Sequence, residues 1–163
     1  MMTGAPSDRG AAGGVRIEPA AGSLGDAVAH LHAALIDPPW SAESVRTTLA
    51  HPATLALAAI DEKSGDVAGF VILQVASDEA EILAIAVVPS LRRKGLARRL
   101  LEAAEAGAGK RGARRIHLEV AGDNEAAREL YGSAGYAEAG RRAGYYRRDN
   151  GPACDALLLS RAL

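Results

Sequence analysis

Glu119 and Tyr131, twelve residues apart, are the two side chains in this sequence best placed to move a proton. Glu119 is the one acid of the apolar segment Ile116–Val120. Alternation there puts Ile116, Leu118 and Val120 on one face and His117 and Glu119 on the other. A carboxylate drawn toward a packed sheet face loses solvation, which raises its proton affinity and suits it to general-base work. On a half-exposed face the same residue is a plain ion-paired glutamate. Tyr131 lies on the apolar face of a helix. Its hydroxyl could protonate a departing thiolate, although a phenol at about 10 gives up its proton less readily than a thiol at about 8.5. A packed core tyrosine is the alternative.

A third group is cationic. Arg92, Arg93, Lys94, Arg98 and Arg99 fall within eight residues, with Gly95 in their middle and no acid among them. The apolar run Ile82–Val88 precedes them. After them Leu96, Leu100, Ala104 and Ala108 recur at four-residue spacing, with Ala97 and Leu101 beside them. Strand, glycine turn and helix start make an anion site, because the first helix amides lack partners and the helix dipole favours negative charge there. The turn reads R-x-x-G-x-A, a form that suits a pyrophosphate. It is neither a GxxxxGK[ST] loop nor a GxGxxG fingerprint, and a plain basic turn is the competing reading. His117 shares Glu119's face and could assist it. Tyr145 and Tyr146 read as a strand end with one ring buried and one exposed, and Cys154 as a small core residue.

The elements that must position these groups follow from periodicity and turn chemistry. Val15–Pro19 is a short strand. Leu24–Ile36 is a helix with Leu24, Ala27, Val28, Leu31 and Leu35 on one face, stopped by Asp37-Pro38-Pro39. Ser41 caps a helix to about Ala50, and Trp40 is placed to staple onto its first turn. Thr54–Ile60 and Val67–Val75 form a hairpin, and Ser77–Glu79 turns into Ile82–Val88. Lys110-Arg111-Gly112 ends the long helix. Asp123 or Asn124 caps the next, with Ala127, Leu130, Tyr131 and Ala134 on one face and Gly135 at its end. Ala137–Tyr145 and Asp155–Leu163 close the chain around Asp149–Pro152. The order β-α-α-β-β-β-α-β-α-β-β predicts a mixed α/β (α+β) fold. Ile82–Val88 and Ile116–Val120, joined through a helix, are its parallel pair.

Composition narrows the classes. Nineteen Lys and Arg stand against twenty Asp and Glu in 163 residues, so the basic turn is local and a general nucleic-acid binder is not expected. The one cysteine allows no intramolecular disulfide and no Cys pair for zinc. The four histidines (His30, His32, His51, His117) have no HExxH spacing, and no metal is expected. No apolar run approaches the ~18 residues of a membrane span. Residues 1–14 are Gly- and Ala-rich without a secretory apolar block, and read as a disordered tail before a single domain over 15–163. A cytoplasmic location is expected.

Together, Ile85–Leu101 (IAVVPSLRRKGLARRLL), His117–Asn124 (HLEVAGDN) and Ala126–Tyr136 (AARELYGSAGY) resemble the GNAT superfamily of acetyl-CoA-dependent N-acetyltransferases. Pro39-Trp40-Ser41 and Arg142–Tyr146 (RAGYY) make the likeness greatest to its RimI-type branch, which acetylates the N-terminal alanine of a small-subunit ribosomal protein. The resemblance implies a mixed, mostly antiparallel sheet of about seven strands with a parallel central pair, flanked by about four helices. It implies acetyl-CoA as co-substrate. Arg92, Gly95 and Ala97 would hold its pyrophosphate, with Arg93, Lys94, Leu96 and Arg98 alongside. Ile85, Ala86 and Val87 would bond the acetyl and pantetheine groups, and Asn124 would touch the cofactor. Glu119 matches the general base and Tyr131 the general acid at the CoA sulfur. Trp40, Tyr145 and Tyr146 would line the acceptor groove. The expected partner is an acceptor protein N-terminus, with no nucleic acid and no membrane. Lysine, polyamine or small-amine acetylation is the nearest alternative, and a non-catalytic acetyl-CoA-binding module a further one. Arg92 replaces a commoner Gln, Ala97 a second Gly, and His117 a bulky apolar residue. Ala143-Gly144 is looser than the usual segment.

Overall fold

A computed structural model describes residues 14–163. The tail expected at the start of the chain falls, up to residue 13, outside the described residues. Gly14 is the first described, and its carbonyl accepts from the Glu62 N–H (2.6 Å).

Among the described residues seven strands form one sheet. They are β1 (Val15–Pro19), β2 (Thr54–Asp61), β3 (Val67–Ala76), β4 (Glu79–Val87), β5 (Arg115–Ala121), β6 (Ala137–Tyr146) and β7 (Cys154–Ala162). Their spatial order is β1-β2-β3-β4-β5-β7-β6. Only β4 and β5 run parallel; every other neighbouring pair is antiparallel. The four α-helices among the described residues are α1 (Ser23–Leu35), α2 (Ala42–Ala50), α3 (Leu96–Lys110) and α4 (Glu125–Ser133). This is the mixed architecture expected from sequence. The boundary that differs most is the start of β4, which begins at Glu79 because the preceding turn is confined to Ser77 and Asp78.

Two apolar layers sandwich the sheet. Leu96, Leu100, Leu101, Ala104 and Ala108 of α3 pack with Tyr131 of α4 on Ile116, Leu118 and Val120 of β5. Val28 of α1 packs with Phe70 and Ile72 of β3 and Ala84 of β4 on the other face. Ser41 accepts from the Ser44 N–H (3.0 Å) and Asn124 from the Ala127 N–H (3.1 Å), so α2 and α4 carry the side-chain caps their sequences suggest. Of the two residues that could cap α4, Asn124 does so.

His32 belongs to the layer on the α1 side. It is fully buried in α1, its ring 4.7 Å from that of Trp40 and 5.9 Å from that of Phe70. Trp40 thus packs back on α1. Neither ring nitrogen of His32 has a partner among the described residues. Burial lowers its pKa, since a charged imidazolium there would be desolvated and unpaired. The unfolded chain takes up that proton at about 6.5, the folded chain only at lower pH. Stability from this site is therefore complete above about pH 6.5 and is lost as pH falls below it. His32→Phe removes the titration. Urea unfolding of both proteins from about pH 7.5 to 5.5 should show the variant gaining on the wild type as pH falls. Parallel profiles would contradict the assignment.

Candidate active site

The site begins where two strands part. β4 pairs with β5 only from Glu79–Ile82 against Arg115–Leu118. At that point β4 carries an extra residue relative to β3: Ile82 lies opposite Leu73 and Ala84 opposite Ile72, leaving Leu83 as a bulge. A bulge bends its strand and breaks alternation. Ile82 accordingly packs on the α3 side and Ala84 on the α1 side. Beyond it Ile85–Val87 still pair with β3, but no strand among the described residues pairs on their β5 side.

A cavity of about 960 Å³ opens at this gap. Ile85, Ala86 and Val87 line it with Arg92, Arg93, Gly95, Leu96, Ala97 and Arg98 of the turn and first turn of α3, and with Asn124 and Tyr131. Of the residues expected to hold a cofactor, only Lys94 is not part of this wall. Further α4 residues, Glu129 among them, and Leu35, Ile36 and Asp37 at the end of α1 also line it, so its lining comes from both faces of the sheet.

The basic turn is built from left-handed backbone. Arg93 has φ +59° and Gly95 φ +81°. The first costs roughly 1 kcal/mol for a residue with a Cβ; the second needs glycine for its φ, since a Cβ at Gly95 would meet nothing within 4 Å. Gly95 is the N-cap of α3 and brings no side chain to its first amides. The five cations then divide. Arg92 Nε donates to the Val87 carbonyl (3.0 Å), Arg98 to Glu102 (2.9 Å) and Ser133 (3.2 Å), and Arg99 to the Val15 carbonyl (2.9 Å). Arg93 and Lys94 have no hydrogen-bond or ion-pair partner among the described residues. Uncapped helix amides beside two uncommitted cations fit a diphosphate anion.

Glu119 lies on β5 at the face away from α3. Its Oε1 accepts from the Tyr146 hydroxyl (3.2 Å), and Arg142 Nε is 3.6 Å from Oε2. The side chain is 25% exposed, with Arg142 beside it. Arg142 also covers the ring of Tyr145 at 5.3 Å, and the rings of Tyr145 and Tyr146 meet edge-on at 5.2 Å. Tyr145 is exposed and Tyr146 half-buried. His117 is turned elsewhere: its Nε2 is 3.4 Å from Glu79 without hydrogen-bond geometry. Trp40 is on the same side of the sheet, against His32, and does not join the cluster around Glu119.

Tyr131 is 4% exposed, and burial pushes its pKa above the ordinary phenol value. Its ring meets the edge of Tyr136 at 5.5 Å. The Tyr136 hydroxyl donates to Glu105 (3.0 Å), which Arg161 also holds (2.7 Å). This fixes the wall behind Tyr131.

Sequence reasoning singled out the tyrosine pair but missed the arginines around it. Arg148 donates twice to Asp123, at 3.0 and 2.6 Å, and covers the Tyr146 ring at 5.7 Å. It joins the segment after β6 to the turn that carries Asn124. The RR-x-x-YY-RR pattern was the available signal. Asp37, in the cavity wall, had none.

The profile of the acetyltransferase (GNAT) family matches residues 25–136. Over 98 residues, 60% of this chain, the sequence is 42% identical to the [ribosomal protein bS18]-alanine N-acetyltransferase of Escherichia coli strain K12, and the match spans 66% of that enzyme's length. A putative enzyme of the same description from Bacillus subtilis is 33% identical over 82% of this chain and 86% of its own. The crystal structure of the ribosomal-protein-S18-alanine N-acetyltransferase from Escherichia coli superposes with a TM-score of 0.82, covering 91% of this chain and 93% of that one at 32% identity. The chain belongs to the GNAT acetyltransferase family.

Arg93 and Lys94 should therefore govern coenzyme A binding through charge alone. Replacing both by Ala is expected to weaken coenzyme A binding about ten-fold at low ionic strength, with the loss shrinking in high salt. Arg92→Ala should instead lower thermal stability as well, because it frees the Val87 carbonyl. Calorimetric titration with melting curves separates the two.

Proposed function

We propose that the chain transfers the acetyl group of acetyl-CoA to the α-amine of a protein N-terminus, with the N-terminal alanine of a small-subunit ribosomal protein as the acceptor. Its relatives' names support this choice, and an acceptor on the ribosome would place the reaction in the cytoplasm. No helix among the described residues is long and apolar enough to cross a membrane, and no group of His, Cys, Asp and Glu there could hold a metal ion. The observation that carries the proposal is the arrangement around the β4–β5 gap. The open stretch Ile85–Val87 lines one cavity with the anion turn and Tyr131, and Glu119 with its tyrosine partner stands on β5 one residue past the last β4–β5 pair, outside that lining.

The residues present fit acetyl-CoA. The α3 amides, Arg93 and Lys94 would take the pyrophosphate, Ile85–Val87 would present backbone groups to the pantetheine amides, and Asn124 would border the chain of the cofactor. Acetyl-CoA would supply a thioester carbonyl open to an amine and a thiolate able to leave. Holding amine and carbonyl together makes direct attack sufficient, with no nucleophile from the protein.

Glu119 takes the amine's proton, directly or through a water. An α-amine at about 7.7–8.0 is easier to deprotonate than a lysine at about 10.4, a difference of roughly 3 kcal/mol. A carboxylate is thus an adequate base for an N-terminus. The Arg142 contact is long and half-exposed, worth no more than about 1 kcal/mol, so an incoming ammonium can displace it. Tyr131 keeps its proton throughout the physiological range. Its hydroxyl stabilises the departing sulfur as a donor, and any proton it passes must be replaced at once because its phenolate is disfavoured.

Glu119→Gln is expected to lower kcat about 10²–10⁴-fold while acetyl-CoA affinity holds. Tyr131→Phe should also act on kcat rather than on acetyl-CoA binding. Rates on peptides with free Ala, Ser or Met N-termini, on the same peptides blocked, and on free amines test the acceptor. Turnover of blocked lysine-containing peptides or polyamines in preference to free N-termini would reject the proposal, and full activity of both variants would reject the roles given to Glu119 and Tyr131.

A further inference from the structure

β6 and β7 leave regular pairing beside the site. Arg142 lies opposite Ala156 and Tyr146 opposite Cys154, so Ala143, Gly144 and Tyr145 together face Asp155 alone. Under regular pairing Tyr146 would lie opposite position 152, about 7 Å farther along the sheet at ~3.4 Å per residue. That is beyond Cys154, where β7 begins. Glu119 is on the other edge of β7, opposite Leu158. By alternation Leu158, Ala156 and Cys154 share one face of β7, across which Arg142 and Tyr146 must reach the same carboxylate. The bulge draws Tyr146 back by two residues, and its hydroxyl then meets Glu119 at 3.2 Å.

Asp155 holds the bulge closed. One carboxylate oxygen accepts from the Gly144 N–H (2.9 Å) and the other from Arg141 Nη1 (3.1 Å). Arg141 is itself fixed by Glu138, at 3.0 and 3.3 Å. Gly144 has φ +59°, a conformation glycine adopts without strain. The side chain of Asp155 therefore replaces the ladder bonds that three residues facing one cannot make. The Gly144 bond, and then Arg141, hold this carboxyl below the ordinary Asp range.

We propose that Asp155 is a positioning residue for the acetyl transfer: by pinning the Ala143–Tyr145 bulge it sets Tyr146 against Glu119 and so fixes the base that receives the acceptor's proton. The inference rests on the role proposed for Glu119. Asp155 touches neither the base nor the cavity lining and acts through Tyr146.

The test compares wild type, Asp155→Ala, Asp155→Asn, Tyr146→Phe and the double variant Asp155→Ala/Tyr146→Phe. Steady-state rates are measured on an N-terminal alanine peptide, and acetyl-CoA affinity by calorimetry. Asp155→Ala should lower kcat/KM for the peptide about ten-fold, the scale of one charge-assisted hydrogen bond, and leave acetyl-CoA affinity unchanged. Asp155→Asn keeps an acceptor for Gly144 and should recover most of the rate. In the Tyr146→Phe background the Ala substitution should cost little more, a non-additivity that general loss of stability does not produce. Equal losses in both backgrounds, or a loss of acetyl-CoA affinity, would overturn the proposal. A crystal structure of Asp155→Ala decides the geometry without turnover. The Tyr146 hydroxyl is expected beyond hydrogen-bond distance of Glu119, and its retention there would contradict the assignment. An inactive wild type on every N-terminal peptide would count against the acceptor reading, while the structure would still decide the role of Asp155.

Discussion

The candidate site exists because β4 and β5 stop pairing after Ile82 and Leu118. Buried backbone N–H and C=O groups require partners, and a strand that loses its neighbour inside a sheet leaves a row of them. The Leu83 bulge produces that condition and also turns β4, so that Ile85 and Val87 continue toward the α3 side while Ala84 and Ala86 face α1. A ligand with its own amides can complete such an edge as an added strand would. The first turn of α3 and the length of α4 then wall the opening, and the cavity forms between them.

Charge is distributed around this gap with little to spare. The basic turn looks in sequence like five equivalent cations, yet three of them brace the fold. Arg92 ties the turn to the end of β4, Arg98 ties α3 to α4, and Arg99 ties α3 to β1. Around β6, Arg141 and Arg148 are committed to acids, and of the cations among the described residues Arg142 reaches Glu119. The same division recurs at both ends of the site: most cations set geometry and few remain for a ligand. Exposed ion pairs contribute little stability singly, so their value here lies in fixing loops that carry Asn124, Tyr146 and Gly95.

The fold was largely legible because each element carried its own period and punctuation. The α3 stripe, the Ser41 cap and the Pro38-Pro39 stop needed no tertiary knowledge. Glu119 and Tyr131 were legible as types on faces, and their spacing carried the family resemblance. Other features depended on pairing between distant residues. Nothing local marks Leu83 as the bulged residue, since its neighbours are uniformly apolar and alternation cannot be read through them. His32 looked like one polar residue on a helix and proved buried between Trp40 and Phe70, since α1 presses that face on β3. The role of Asp155 depends on a three-against-one register that only the folded β6–β7 pair defines.

On the proposed function, the open edge of β4 receives the acyl-bearing end of acetyl-CoA, with the turn at Arg92–Ala97 holding its phosphates. Hydrogen–deuterium exchange with and without acetyl-CoA measures this directly. Exchange is expected to slow in peptides covering Leu83–Val88 as well as in those covering Arg92–Ala97, with the paired β1–β2 region unchanged. Protection confined to the turn, with Leu83–Val88 exchanging as in the free protein, would contradict the account.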